Sequence, residues 1–256
     1  MDAMQKFLEY TSAYDDGSDT RIKLKIIHTQ RVTEVMEQLT AALPLSESDR
    51  ELAYLCAVYH DIGRFEQLKR YHTFLDYKSI DHAQLGCEIL RQGDFLGELS
   101  DREREQVLTA IGNHNRLAIE DGLDEKTLLF AKLIRDADKC DIFRVFAQED
   151  PVDTTGSAEQ EGQEAVPDVV YESILGHYCI KKQERKTGLD VWVSFLGFFF
   201  DLNFAESLRI ALKQGYYKKR FLELNFEDPA TEERVRRCIA ETEQYAYARL
   251  RMEELQ

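Results

Sequence analysis

The apolar residues of this chain recur every three or four positions, and this periodicity limits the possible folds more than any other feature. Over residues 21–42 the recurring apolar positions are Ile22, Ile26, Val32, Val35, Met36 and Leu39. A similar pattern over residues 128–146 predicts another helix. No segment alternates apolar and polar residues between turn signals, and the chain has only 13 Gly and 4 Pro. We therefore expect an all-α fold.

Capping signals place the starts of three more helices. Ser46 and Ser100 each stand three residues before an acidic residue, which is the pattern of a capping box. Asp228 followed by Pro229 is typical of an N-cap with proline at the first helical position. These signals predict helices that begin near residues 46, 100 and 229 and end near 60, 112 and 252.

The segment 148–167 interrupts this helical pattern. It contains six acidic residues, no basic residue and two of the four prolines. We expect an acidic flexible loop here, between a helical bundle over residues 1–147 and a C-terminal helical extension over 168–256 packed on the bundle. The C-terminal helices either extend the bundle or form a surface between copies of the chain, as in a homo-oligomer.

Composition limits the partners and the location of the protein. With 33 basic and 48 acidic residues the net charge is −15, which argues against binding to long nucleic acids. The longest apolar run, residues 191–200, is shorter than the roughly 20 residues that span a bilayer, so no membrane association is expected. The five cysteines never form a CxxC motif and the N-terminus lacks a signal-peptide pattern. A reducing, cytoplasmic location is predicted.

Four histidines and two aspartates are candidate metal ligands, because imidazole nitrogen and carboxylate oxygen together suit divalent first-row metals. They are His28, His60, Asp61, His82, His114 and Asp138. Alone, a helical histidine is more often a surface or core residue, and Asp136 and Asp141 compete with Asp138. The His60-Asp61 pair is different, because it follows an apolar run and is expected to be buried. A buried carboxylate needs a partner, and a metal is one such partner.

The motif HDIGR at 60–64, the upstream helical His28 and the motif ADKCD at 137–141 resemble the HD superfamily of metal-dependent phosphohydrolases. The resemblance covers about residues 20–147. It implies an HD-domain helical bundle that holds one or two divalent metal ions, namely Fe, Mn, Co, Mg or Zn.

The resemblance also implies a role for each candidate residue. His28, His60, Asp61 and Asp138 match the ligands of a first ion, and Asp61 takes the place that bridges to a second. His82 and His114 match the extra histidines of the binuclear branches.

Three residues are predicted to take part in catalysis: Asp61, Arg64 and Lys139. The implied role of Arg64 is contact with a phosphate group, which a guanidinium can clamp with two hydrogen bonds; the alternative is a surface ion pair. Lys139 follows Asp138 and is expected to face the same pocket. The segment 65–81 is expected either to cover this pocket or to form a short packed helix. Asn113 and Asn115 either orient the imidazoles or form a turn.

The resemblance favours a phosphohydrolase that uses metal-activated water to cleave a nucleotide or another small phosphate ester. The GYP triplet of the branch that cleaves cyclic dinucleotides is absent, which argues against that substrate. An HD-fold di-iron oxygenase is an alternative, because its ligand set resembles this one. A non-catalytic ligand-sensing module is a third possibility.

Overall fold

All the regular structure that the computed structural model describes is helical, which confirms the predicted all-α fold. The structure describes residues 2–15, 17–97, 99–149, 164–253 and 255. The chain divides into two compact units, Met1–Asp141 and Ile142–Gln256. Most of the predicted acidic loop at 148–167 lies outside the described residues.

The first unit is a bundle of helices that pack in pairs. Its helices are α1 (Ala3–Ser12), α2 (Thr20–Ala41), α3 (Glu47–Tyr59), α4 (Gly63–Tyr71), α5 (His82–Gln92), α6 (Asp101–Asn113) and α7 (Glu125–Gln148), with a 3-10 turn at Asp76–Lys78. Helix α3 packs against α2 and α6, and α5 packs against α4 and α6. The last turns of α7 belong to the second unit.

The predicted caps of this unit are present. The Ser46 hydroxyl accepts a hydrogen bond from the Asp49 backbone N–H at the start of α3. Ser100 and Glu103 form a reciprocal capping box at the start of α6. An additional cap, which the sequence analysis missed, is the Asp81 carboxylate, which accepts from the first turn of α5 and so fixes where His82 enters the bundle.

Gly63 is needed because two helices approach each other closely. A Cβ at this position would lie 2.2 Å from the backbone oxygen of His82 and 2.6 Å from the backbone nitrogen of Gly86. Any side chain would therefore push α5 away from α4. Because Gly63 has no side chain, the backbone of His82 can lie against the residues that follow Asp61.

The second unit is built around buried aromatic side chains. Its helices are α8 (Asp168–Leu175), α9 (Gly188–Leu196), α10 (Phe198–Asp201), α11 (Ala205–Gln214), α12 (Tyr216–Glu223) and α13 (Pro229–Glu253). The rings of Phe146 and Trp192 lie 5.2 Å apart, and Phe199 is fully buried. The apolar run at 191–200 therefore packs into a protein core. Within the described parts of the chain, no helix has the length and apolar character to cross a membrane.

Candidate metal centre

Helices α2 and α7 and the turn after α3 bring together a first group of candidate ligands, namely His28, His60 and Asp138. The Nε2 atom of His28 lies 3.1 Å from Oδ1 of Asp138 and 3.3 Å from Nε2 of His60. The Nε2 atom of His60 lies 3.7 Å from the same Asp138 oxygen. All three residues are buried. The spacing allows one cation to contact all three.

A second group consists of Asp61, His82 and His114. His82 is the first residue of α5, and His114 directly follows α6. Their Nε2 atoms lie 3.1 Å apart. Oδ1 of Asp61 lies 3.3 Å from Nε2 of His82 and 3.7 Å from Nε2 of His114. The structure thus brings all six predicted ligands together in the first unit.

Asp61, a member of the second group, also faces the first group, because its two carboxylate oxygens point to different histidines. While Oδ1 faces the second group, Oδ2 lies 3.7 Å from Nε2 of His28 and 3.6 Å from Nε2 of His60. A carboxylate arranged in this way can bind two cations at once, one through each oxygen. The geometry therefore fits the bridging position that the resemblance implied for Asp61.

The other ring nitrogens of the first group are held by hydrogen bonds. Nδ1 of His28 donates to Oδ2 of Asp141 at 2.7 Å, and Nδ1 of His60 donates to the backbone oxygen of Ala57 at 2.8 Å. Both partners can only accept. In its neutral form each imidazole therefore carries its proton on Nδ1 and presents a lone pair on Nε2.

The second group repeats this arrangement. Nδ1 of His82 donates to Oδ2 of Asp76 at 2.8 Å, and Nδ1 of His114 donates to the backbone oxygen of Ile111 at 2.7 Å. When both rings are neutral, the two Nε2 lone pairs consequently face each other at 3.1 Å with no proton between them. Such a contact is repulsive unless a cation lies between the nitrogens. The donor set therefore fits metal ions, and the Nδ1 partners are of the kind that orient metal-bound histidines.

Sequence reasoning did not identify these Nδ1 partners correctly. It treated Asp141 as a competitor of Asp138, although it supports His28 from the opposite side of the ring. Asp136 is buried but belongs to none of the candidate ligand groups formed by the described residues. Asn115 donates to the carboxylates of Asp81 and Asp76 rather than to an imidazole. The side chain of Asn113 bonds to backbone groups, which fits a role in the turn after α6.

Burial and neighbouring charges shift the pKa values of the two histidines of the first group in opposite directions. Burial and the charge of Lys25 lower the pKa of His28, but hydrogen bonds to Asp138 and Asp141 outweigh both and raise it to about 9. Burial lowers the pKa of His60 to about 4, although Asp61 and Asp138 oppose that shift. Without a metal, His28 is therefore a cation at pH 7, whereas His60 is neutral.

Two basic side chains lie beside the bridging carboxylate. Nζ of Lys25 lies 2.7 Å from Oδ2 of Asp61, and Nε of Arg64 lies 3.5 Å from Oδ1. Burial alone would raise the pKa of Asp61, but Lys25 and the adjacent histidines hold it well below its usual value. Lys25 was not among the predicted site residues. Its only sequence signal is its place one helical turn before His28.

Arg64 ties the segment after α4 to the centre. Its Nη1 donates to Gln67, to the backbone oxygen of Phe74 at 2.6 Å and to Oδ1 of Asp76 at 2.9 Å. The segment 65–81, predicted as a cover or a short packed helix, contains most of helix α4 and the chain that follows it, including the 3-10 turn at Asp76–Lys78. Lys139 lies on α7 next to Asp138 and is buried.

Comparison with known families agrees with this geometry. Residues 26–142 match the family model described as HD domain, and this span includes all six candidate ligands. Comparisons with curated proteins and with solved structures gave no match to the chain. HD domains bind divalent metals and most of them are metal-dependent hydrolases. The resemblance to the HD superfamily is confirmed for this segment, and residues 26–142 of the chain form an HD domain.

Proposed function

We propose that this protein is a metal-dependent phosphohydrolase with two divalent ions bridged by Asp61. The observation that carries the proposal is that each oxygen of Asp61 faces a separate pair of histidine Nε2 atoms. The substrate we propose is a nucleotide or another small phosphate ester. Cytoplasmic location and homo-oligomer formation remain predictions.

The donor set favours some metals over others. Four imidazole nitrogens and two carboxylates suit Fe, Mn, Co or Zn better than Mg, which prefers oxygen ligands. Ions held here would lower the pKa of bound water to near neutrality and polarise a phosphoryl oxygen. The contribution of the protein is to keep the Nε2 lone pairs pointing inward through the Nδ1 hydrogen bonds.

Two basic side chains beside Asp61 are more exposed than the Asp61 carboxylate. The side chains of Lys25 and Arg64 are 16% and 15% exposed, whereas that of Asp61 is 3% exposed. An anionic group bound beside Asp61 would therefore be near two cations, despite the net charge of −15. This local charge supports a phosphate-bearing substrate.

We propose that Arg64 contacts the substrate through its Nε, once the substrate reaches Asp61. This atom is buried and has no hydrogen-bond partner among the described residues, whereas Nη1 is engaged by Phe74 and Asp76. A two-point clamp through Nη1 would require the 74–76 segment to move. We also propose that Lys139 adds positive charge near Asp138.

A di-iron oxygenase is the second candidate, because the two ligand groups contain only nitrogen and oxygen donors, which suit iron. To distinguish the two functions, metal-free protein is loaded with Mn²⁺, Fe²⁺, Co²⁺, Zn²⁺ or Mg²⁺. Phosphate release from a panel of nucleotides and phosphate monoesters is then measured beside oxygen consumption.

Metal-dependent phosphate release that is abolished in Asp61→Asn supports the hydrolase. His72→Asn is the matched control, because it removes an exposed histidine outside the centre and asparagine tolerates the left-handed backbone found there. Substrate-dependent oxygen consumption by the iron form without phosphate release would favour the oxygenase. Metal binding without either activity would favour the ligand-sensing module.

A further inference from the structure

A buried arginine, Arg135, lies outside the ligand groups but contacts the backbone beside one of them. It is on α7, three residues before Asp138, and only 1% of its surface is exposed. Placing a guanidinium in a protein interior is costly unless its N–H groups are hydrogen-bonded. The positions of these hydrogen-bond acceptors therefore indicate one part of the fold that this side chain stabilises.

Four of its acceptors are backbone carbonyls of the last residue of α6 and of the turn that follows it. Nη1 of Arg135 donates to the oxygens of Asn113 at 3.0 Å and Arg116 at 2.6 Å, with a longer contact of 3.4 Å to His114. Nη2 donates to the oxygen of Leu117 at 3.2 Å. Carbonyls in the last turn of a helix lack partners within the helix, and a positive charge is favourable there.

The same helix end fixes the ring of His114. Both its backbone N–H and its Nδ1 donate to the oxygen of Ile111, at 3.2 Å and 2.7 Å. The imidazole is therefore tied to the backbone of this turn. A shift of the turn would move Nε2 relative to His82 and Asp61, with which it forms the second ligand group.

We propose that Arg135 is a positioning residue for the second metal ion. It connects α7, which carries Asp138 of the first ligand group, to the turn that carries His114 of the second. In this way it fixes the distance between the two groups. The inference rests on the proposed two-ion centre. Lysine cannot replace the arginine, because an ammonium lacks the planar fork that reaches several carbonyls at once.

The test compares Arg135→Lys with Arg50→Lys, a matched control. Arg50 also donates to backbone carbonyls in the first unit, those of Leu43 and Leu45, but these lie in the turn between α2 and α3. Mn²⁺ affinity and stoichiometry are measured by calorimetry and elemental analysis, with circular dichroism to monitor folding. Arg135→Gln, which keeps amide donors without the charge, is a second variant.

We expect the wild type and Arg50→Lys to bind two ions. Both Arg135 variants should bind the first ion with unchanged affinity and the second about 10–100-fold more weakly, the usual effect of losing a group that orients a metal ligand. The electron paramagnetic resonance spectrum at two equivalents of Mn²⁺ should then show isolated ions in place of a coupled pair.

If the Arg135 variants bind two ions with wild-type affinity, the positioning role is overturned while the two-ion centre stays intact. Loss of both ions together would also overturn it, because the residue would then support the whole fold. If the wild type itself binds one ion or none, the proposed centre fails and the inference fails with it.

Discussion

Metal binding should depend on pH through one histidine of the first ligand group. Hydrogen bonds to Asp138 and Asp141 raise the pKa of His28 to about 9, against the effect of burial. The metal-free protein at pH 7 therefore carries a proton on Nε2 of His28 that an incoming ion must displace. Burial keeps His60 and His82 neutral at this pH, since it lowers both of their pKa values.

The size of the effect follows from the interval between pH 7 and a pKa of about 9. Competition with this proton should weaken the binding of the first ion by about 100-fold at pH 7, or about 2.7 kcal/mol. The affinity should rise about tenfold per pH unit and level off near pH 9.

Calorimetry in two buffers with different enthalpies of ionisation measures the protons released. About one proton should be released per first ion at pH 7. Asp141→Asn keeps an acceptor for Nδ1 of His28 but removes the charge, so fewer protons should be released and the pH dependence should flatten. Asp76→Asn makes the same change beside His82, which is already neutral, and should leave the proton count unaltered.

A first-ion affinity that is constant from pH 6.5 to 8.5, with no proton release at pH 7, would refute this reasoning. So would an equal effect of the Asp141 and Asp76 variants. Either result would mean that Asp141 does not hold a proton on His28 in a way that Asp76 does not on His82.

Three further outcomes are expected. Asp61→Asn should abolish binding of both ions with unchanged helix content, measured by elemental analysis and circular dichroism; retention of two ions would contradict the bridging geometry. His82→Ala should reduce the metal content from two ions to one, and an unchanged stoichiometry would exclude the second ligand group. Gly63→Ala should lower the free energy of unfolding in urea by about 1–3 kcal/mol or more, because its Cβ would overlap the His82 backbone. The control Gly112→Ala should cost less, because its Cβ would meet side chains and no backbone, with the end of the Gln84 side chain at 3.2 Å and Cys87 Sγ at 3.7 Å.

Much of the fold and the ligand set could be predicted because the signals are local. The periodicity over 21–42 anticipates α2, and the Ser100–Glu103 pair anticipates the start of α6. The HDIGR and ADKCD motifs anticipate the candidate ligands within them. A short packed helix was only one of two alternatives for residues 65–81, because the segment that forms most of α4 is mixed in charge. Helix α5 was not predicted, because the cap that starts it was overlooked.

The supporting contacts could not be predicted, because they join distant parts of the chain. His28 and Asp141 are 113 positions apart, and no spacing rule connects them. The same holds for Lys25 with Asp61 and for Arg135 with the end of α6, where the acceptors are backbone oxygens that carry no sequence signature. Only the packing of α2, α6 and α7 reveals these contacts.

The central claim, two ions bridged by Asp61, is tested most directly by anomalous diffraction from crystals of the Mn²⁺-loaded protein. Two peaks should appear about 3.5–4 Å apart, one beside each Asp61 oxygen. One peak should contact His28 and the other His114. A single peak, or peaks that leave Asp61 without a metal contact, would contradict the two-ion centre.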